Sequence, residues 1–266
     1  GKAVRVACTC GLNGIGVPFA AGSTALCRAM LLINATQLGM SGQEPMPGFL
    51  LSELEDLAEG ALVFDRVYAP LETKVLAAAR QQGLKTSDGL VMLVGEAETE
   101  LGAVTLLVNC ASAFEEDAFA DMNRASWDAH LETNLRAPLV LAQVFARRLP
   151  PGRDGLIVNL LDQRVLNTSP EFFSYSLSKA ALWDATRMLA QALAPHIRVN
   201  GIGPGPTLPS IHQDQAAFDA EAAATLLQRP VEPREIADAL RYLSDAPSVT
   251  GQMIAVDGGQ HLARRS

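Results

Sequence analysis

The chain has few aromatic residues, few charges and few cysteines, and each shortage narrows what it can be. Aromatics are 5% of the 266 residues while aliphatic and other apolar residues bring the hydrophobic share to 48%, so the core must be built from Val, Ile, Leu and Ala. Charged residues reach only 19%, which together with that apolar content excludes a disordered or highly solvated chain. Positive charge is the scarcer sign, and the formal net charge of −8 supplies no broad basic field for a nucleic acid and repels anionic lipid. Neither nucleic acid nor membrane is expected as a partner. A phosphate-bearing ligand would have to be held locally, by backbone N–H groups or one or two basic side chains.

No apolar run approaches the roughly 18 residues that cross a bilayer, and the opening residues lack the layout of a secretory signal, so a cytoplasmic protein is expected. The four cysteines, Cys8, Cys10, Cys27 and Cys110, are too sparse for a disulfide framework. Cys8 and Cys10 could pair on one strand face, but no His/Cys cluster follows them, and no metal site is expected.

Apolar stretches at 4–8, 30–35, 61–67, 104–109, 155–161, 197–202 and 253–256 read as buried strands, and stretches at 71–82, 127–149, 175–193 and 233–244 carry helical periodicity. Such alternation predicts an α/β fold, a doubly wound, mostly parallel sheet of the Rossmann-like kind in a single domain over 1–266, with ligands at the carboxyl ends of the strands. The irregular stretch 39–48 reads as a surface loop.

Two patterns point to chemistry. The first strand runs into Thr9-Cys10-Gly11-Leu12-Asn13-Gly14-Ile15-Gly16, and glycines there would let the backbone approach a pyrophosphate at a helix start, although glycines also close turns that bind nothing. Tyr175 and Lys179 stand four residues apart on a helix, hence on one face. An ammonium beside a phenol stabilises the phenolate and draws its pKa toward neutrality, where it can exchange protons with a substrate.

Taken with these, further segments resemble the short-chain dehydrogenase/reductase family. Thr9 to Gly16 resembles its glycine-rich turn, Asn109-Cys110-Ala111-Ser112 its Asn-Asn-Ala-Gly strand end, and Asn134 the helix asparagine of its proton relay. Pro204-Gly205-Pro206-Thr207 resembles the loop that holds nicotinamide, and 250–259 the terminal strand. The resemblance implies a nicotinamide dinucleotide, NADP with NAD as the other choice, bound by Thr9, Gly11, Asn13, Gly14, Ile15, Gly16, Asn109, Ala111, Tyr175, Lys179, Pro204, Gly205 and Thr207. It also implies a homo-oligomer, tetramer or dimer.

One departure narrows the expectation. Where the family carries a catalytic serine thirteen residues before the tyrosine, this chain has Asp162. In that respect it resembles the pteridine reductases, whose aromatic residue after the strand end corresponds to Phe114, beside Ser112. The resemblance then implies reduction of a dihydropterin or dihydrofolate, with Asp162, Tyr175, Lys179 and Asn134 catalytic and Ser112 and Phe114 facing the substrate. Two other readings stay open: a carbonyl or alcohol oxidoreductase of the same family, and a scaffold whose cofactor site is impaired.

Residues 29–97 follow a different pattern and resemble the cofactor domain of shikimate dehydrogenases, giving the chain the look of a chimera. That family's catalytic Lys/Asp substrate domain has no counterpart here, and Glu96 stands where it uses glutamine, so the segment is read as scaffold. Thr36 and Gln37, after the expected second strand, are neutral and enforce neither NAD nor NADP.

Overall fold

The computed structural model describes residues 3–7, 14–18, 31–34, 51, 53–56, 61–65, 73–88, 103–210 and 212–263. The chain forms two compact units, Gly1–Gly102 and Ala103–Ser266.

In the first unit, β1 (Ala3–Ala7), β2 (Gly14–Pro18), β3 (Leu31–Asn34), β4 (Leu62–Asp65) and β5 (Lys85–Asp88) form a sheet in the order β2-β1-β3-β4-β5. The pairs β3–β4 and β4–β5 are parallel, whereas β1 runs antiparallel to both β2 and β3. Helix α1 (Lys74–Gln81) joins β4 to β5; the Thr73 side chain caps its start, and Gly83, at φ 73°, lets the chain leave it in the left-handed conformation. Val75, Leu76 and Ala79 form its buried face.

Gly14, Ile15 and Gly16 do not form the expected turn into a helix. They pair with Ala7, Val6 and Arg5 as part of β2. Glycine accepts turn and strand conformations alike, so the pattern by itself does not choose between them, while the β-branched Ile15 and Val17 favour extended backbone. Thr9, Gly11 and Asn13 lie outside the described residues.

The second unit holds β6 (Leu106–Asn109), β7 (Gly155–Leu160), β8 (Ile197–Pro204) and β9 (Met253–Val256), parallel throughout and neighbours in that order. Asn123 caps α2 (Arg124–Leu131), which passes through a π-helical turn at Glu132–Arg136 into α3 (Ala137–Arg148). The expected helix at 127–149 is therefore present, with a wide turn inside it. Helices α4 (Phe173–Ala192), α5 (Gln215–Ala223) and α6 (Pro233–Asp245) complete the unit, α5 without a counterpart in the sequence reading.

Alternating residues of β7 face opposite layers, which is what makes the unit doubly wound. Ile157 packs with Ala142 and Phe145 of α3, Ala190 of α4, and Ile197 and Val199 of β8. Leu156 and Val158 pack on the other side with Ile202, Ala239 and Leu243, the last two from α6. A strand buried on both faces needs the near-continuous apolar run Gly-Leu-Ile-Val-Asn-Leu found at β7. Among the described residues no helix is long and apolar enough to cross a membrane.

Candidate active site

The carboxyl edge of the second unit's sheet gathers most of the expected residues. Asn109 ends β6, Asp162 follows β7, and Pro204 ends β8. Asp162 begins a short 3-10 turn at Gln163–Val165; its Oδ1 accepts from the Arg164 backbone N–H at 2.8 Å, which turns Oδ2 toward α4. There the Tyr175 hydroxyl donates to Oδ2 at 2.7 Å. One turn further along α4, Lys179 Nζ donates to the Leu160 carbonyl at 2.8 Å and lies 5.8 Å from the Tyr175 ring centre. The phenol, ammonium and carboxylate are thus together, with Tyr175 and Lys179 only 6% and 3% exposed.

Their electrostatics differ from the sequence expectation. Burial, then the charge and hydrogen bond of Asp162, push the Tyr175 phenol well above its ordinary value, with the Arg164 guanidinium opposing. Tyr175 is accordingly a held acid rather than a phenolate. Burial lowers the Lys179 ammonium to about 8, with Asp162 and Cys110 opposing the shift.

Asn134 sits wholly buried in the π-helical turn. Its Oδ1 accepts from Ala113 N at 2.7 Å and Ser112 Oγ at 3.2 Å, and its Nδ2 donates to Ala113 O at 2.9 Å and Ser178 Oγ at 3.0 Å. Both lone pairs and both hydrogens are used. Through these four bonds Asn134 ties the loop after β6 to the helix that carries Tyr175 and Lys179. Its place in a π-turn suits this, because the extra residue re-aims a side chain inward.

That loop delivers Phe114, whose ring meets the Tyr175 ring edge-on at 4.7 Å. Phe114 also stacks on Phe172 at 4.4 Å and 12°. Phe172 has φ 51°, an unusual conformation for a bulky residue, at the mouth of α4. The Arg164 guanidinium lies 5.7 Å and 5.2 Å from the two phenyl ring centres, and His212 Nε2 is 2.9 Å from the Phe114 carbonyl. Phe172, Arg164 and His212 escaped the sequence reading because nothing in their spacing relates them to Phe114.

Behind this wall lies a buried chain of polar groups. His130 Nε2 accepts from Glu115 N at 3.0 Å, so Nδ1 carries the proton of the neutral ring and donates it to Ser174 Oγ at 2.6 Å. Ser174 Oγ in turn donates to Asp117 Oδ2, and Asp117 Oδ1 accepts from the Ser174 backbone N–H at 3.0 Å. Burial raises the Asp117 carboxyl, but hydrogen bonds from Ser174 and Ser126 and the nearby His130 outweigh it and hold it below its ordinary value. Burial lowers the His130 imidazole, with Asp117 and Glu115 opposing. A carboxylate thereby caps the first turn of α4 from outside the helix.

The edge suits the nicotinamide end of a dinucleotide. Lys179 uses one of its three N–H donors on Leu160, and the buried Asn109 Oδ1 accepts from no described residue although its Nδ2 donates to Asn159 at 2.7 Å. These unused groups could take ribose hydroxyls. Gly205 is required for another reason: a Cβ there would come 2.6 Å from Asp257 Cα, so the Pro204–Thr207 loop can hug β9 only with glycine. Ala111 and Ser112 are exposed beside Asn109.

Comparison with known proteins gives an independent view. The family model described as Enoyl-(Acyl carrier protein) reductase matches residues 64–261. The 2-dehydro-3-deoxy-D-gluconate 5-dehydrogenase of Dickeya dadantii is 30% identical over 209 residues, 73% of this chain and 82% of that protein. Dihydromonapterin reductase of Citrobacter koseri is 28% identical over 196 residues, 71% of this chain and 80% of that protein. The crystal structure of FolM alternative dihydrofolate reductase 1 from Brucella suis, in complex with NADP, matches at 39% identity with a TM-score of 0.66, covering 81% of this chain and 92% of that one.

Proposed function

The chain belongs to the short-chain dehydrogenase/reductase family, and from that membership we propose that it is an NADPH-dependent reductase of a pterin-like substrate, a dihydropterin or dihydrofolate. The observation that carries this reading is the 2.7 Å hydrogen bond from Tyr175 to Asp162, beside the Phe114 ring. It is supported by the dihydromonapterin reductase and the NADP complex of FolM among the similar proteins.

Lys179, Asn109, Ala111 and the Pro204-Gly205-Pro206-Thr207 loop would hold the nicotinamide end. When bound, the dinucleotide supplies the hydride. Tyr175 then supplies the proton: burial and Asp162 keep it on Oη at neutral pH, ready for the nitrogen of a C=N bond that has gained a hydride on carbon. Asp162 aims that hydroxyl, and the Phe114 ring offers an apolar edge to a flat heterocycle.

Alcohol oxidation asks for the opposite. A base must take the hydroxyl proton, and a phenol held above its ordinary pKa is poorly suited to that. The test is to follow nicotinamide absorbance with 7,8-dihydropterins and dihydrofolate in one direction and with simple and sugar alcohols in the other. Reduction of the dihydropterins is expected, with Tyr175→Phe abolishing turnover while cofactor binding persists. Alcohol oxidation without dihydropterin reduction would overturn the reading.

A further inference from the structure

We infer that Arg164 reads the substrate in this site, its guanidinium taking an acceptor oxygen on the ring system of the flat heterocycle. The inference rests on the pterin-like reading above and names a recognition group within it. Arg164 stands two residues beyond Asp162, in the short turn that Asp162 begins, and its backbone N–H is held by Asp162 Oδ1. The side chain is only 20% exposed.

Its surroundings leave the donors unused. The nearest carboxylate oxygen, Asp162 Oδ2, is 3.8 Å from Nη1, within ion-pair range but beyond a hydrogen bond. No side-chain N–H of Arg164 donates to any described residue. The guanidinium lies over the Phe114 and Phe172 rings, which hold it by cation–π attraction and hydrogen-bond to none of its five N–H groups. A largely enclosed guanidinium that spends none of its N–H donors on the described residues has them available, at the mouth of the site, for an acceptor that a ligand brings.

Position says which part of the ligand supplies it. Asp162 Oδ2, 3.8 Å from Nη1, is the same oxygen that accepts from the Tyr175 hydroxyl. Any group close enough to receive a proton from Tyr175 is therefore near the guanidinium, which favours an oxygen on the reacting ring over one on an extended side chain. A lactam oxygen conjugated into the ring has the geometry the planar fork prefers. Carboxylates on a flexible tail share the acceptor chemistry, and the experiment separates the two.

Equilibrium titration of the NADP-loaded enzyme with an oxidised pterin lacking any carboxylate and with folate is measured for wild type, Arg164→Gln and Arg164→Lys. The expected result is a rise in Kd of about ten-fold or more for both ligands in Arg164→Gln, with only partial recovery in Arg164→Lys, which keeps the charge beside Asp162 but loses the fork. Weakening confined to folate would assign the guanidinium to the tail and overturn the inference. Full recovery in Arg164→Lys, or unchanged affinity in both variants, would overturn it too, leaving a charge that only balances Asp162. If the variants bind like wild type while wild type reduces dihydropterins, the function stands and the inference falls. If wild type binds neither ligand, both fall.

Discussion

Tyr175 Oη donates to Asp162 Oδ2 at 2.7 Å, and this bond favours the protonated phenol. A phenol beside an ammonium alone gives up its proton more readily; a buried phenol bonded to a carboxylate keeps it. Asp162→Asn is expected to release the phenol, moving the limb at which Tyr175 deprotonates to lower pH, and to slow dihydropterin reduction by about 100-fold. A pH–rate profile of kcat/KM for the two proteins checks both effects. An unmoved alkaline limb would mean that Asp162 does not govern Tyr175.

Lys179 makes the alkaline side informative in a second way. Its ammonium is lowered to about 8, so cofactor affinity should fall as pH rises through that value, measured by titration of NADPH fluorescence. The stability effect has the opposite sense. A lysine whose folded pKa lies below its unfolded value works against folding at neutral pH, and this cost declines as pH climbs from about 8 toward 10.5. Lys179→Met should abolish turnover yet unfold no earlier than wild type at pH near 7, with any advantage shrinking toward alkaline pH. Calorimetry at several pH values decides it.

His130 predicts the acid side. Burial holds the folded imidazole below its ordinary pKa, so the unfolded chain takes up a proton first as pH falls below about 6.5, and stability declines from there. His130→Gln should flatten that decline in chemical denaturation. Ser174→Ala leaves Asp117 and His130 without their shared hydroxyl and should cost about 1–3 kcal/mol at neutral pH, read by the same measurement.

The strands at 155–160 and 253–256 and the helices at 173–192 and 233–245 were legible because each carries its own period: a continuous apolar run for a strand covered on both faces, a three-and-four spacing for a helix on one. Gly14–Pro18 was not, since its glycines suit turn and strand alike and partner pairing decides between them. Helix Gln215–Ala223 escaped for a related reason: a run dominated by alanine has too weak an apolar stripe to stand out.

For the site, sequence by itself determined whatever a single element's geometry enforces: Tyr175 and Lys179 share a face because four residues make about one helical turn. It also marked Asp162 through a family pattern. Only the tertiary structure decided that Phe172 and Arg164 close around Phe114, that Ser174 joins Asp117 and His130, and that burial and Asp162 hold the Tyr175 phenol above its ordinary pKa. Those facts depend on how separate elements pack and on how much water reaches the groups between them, and neither is encoded in the spacing along one helix or strand.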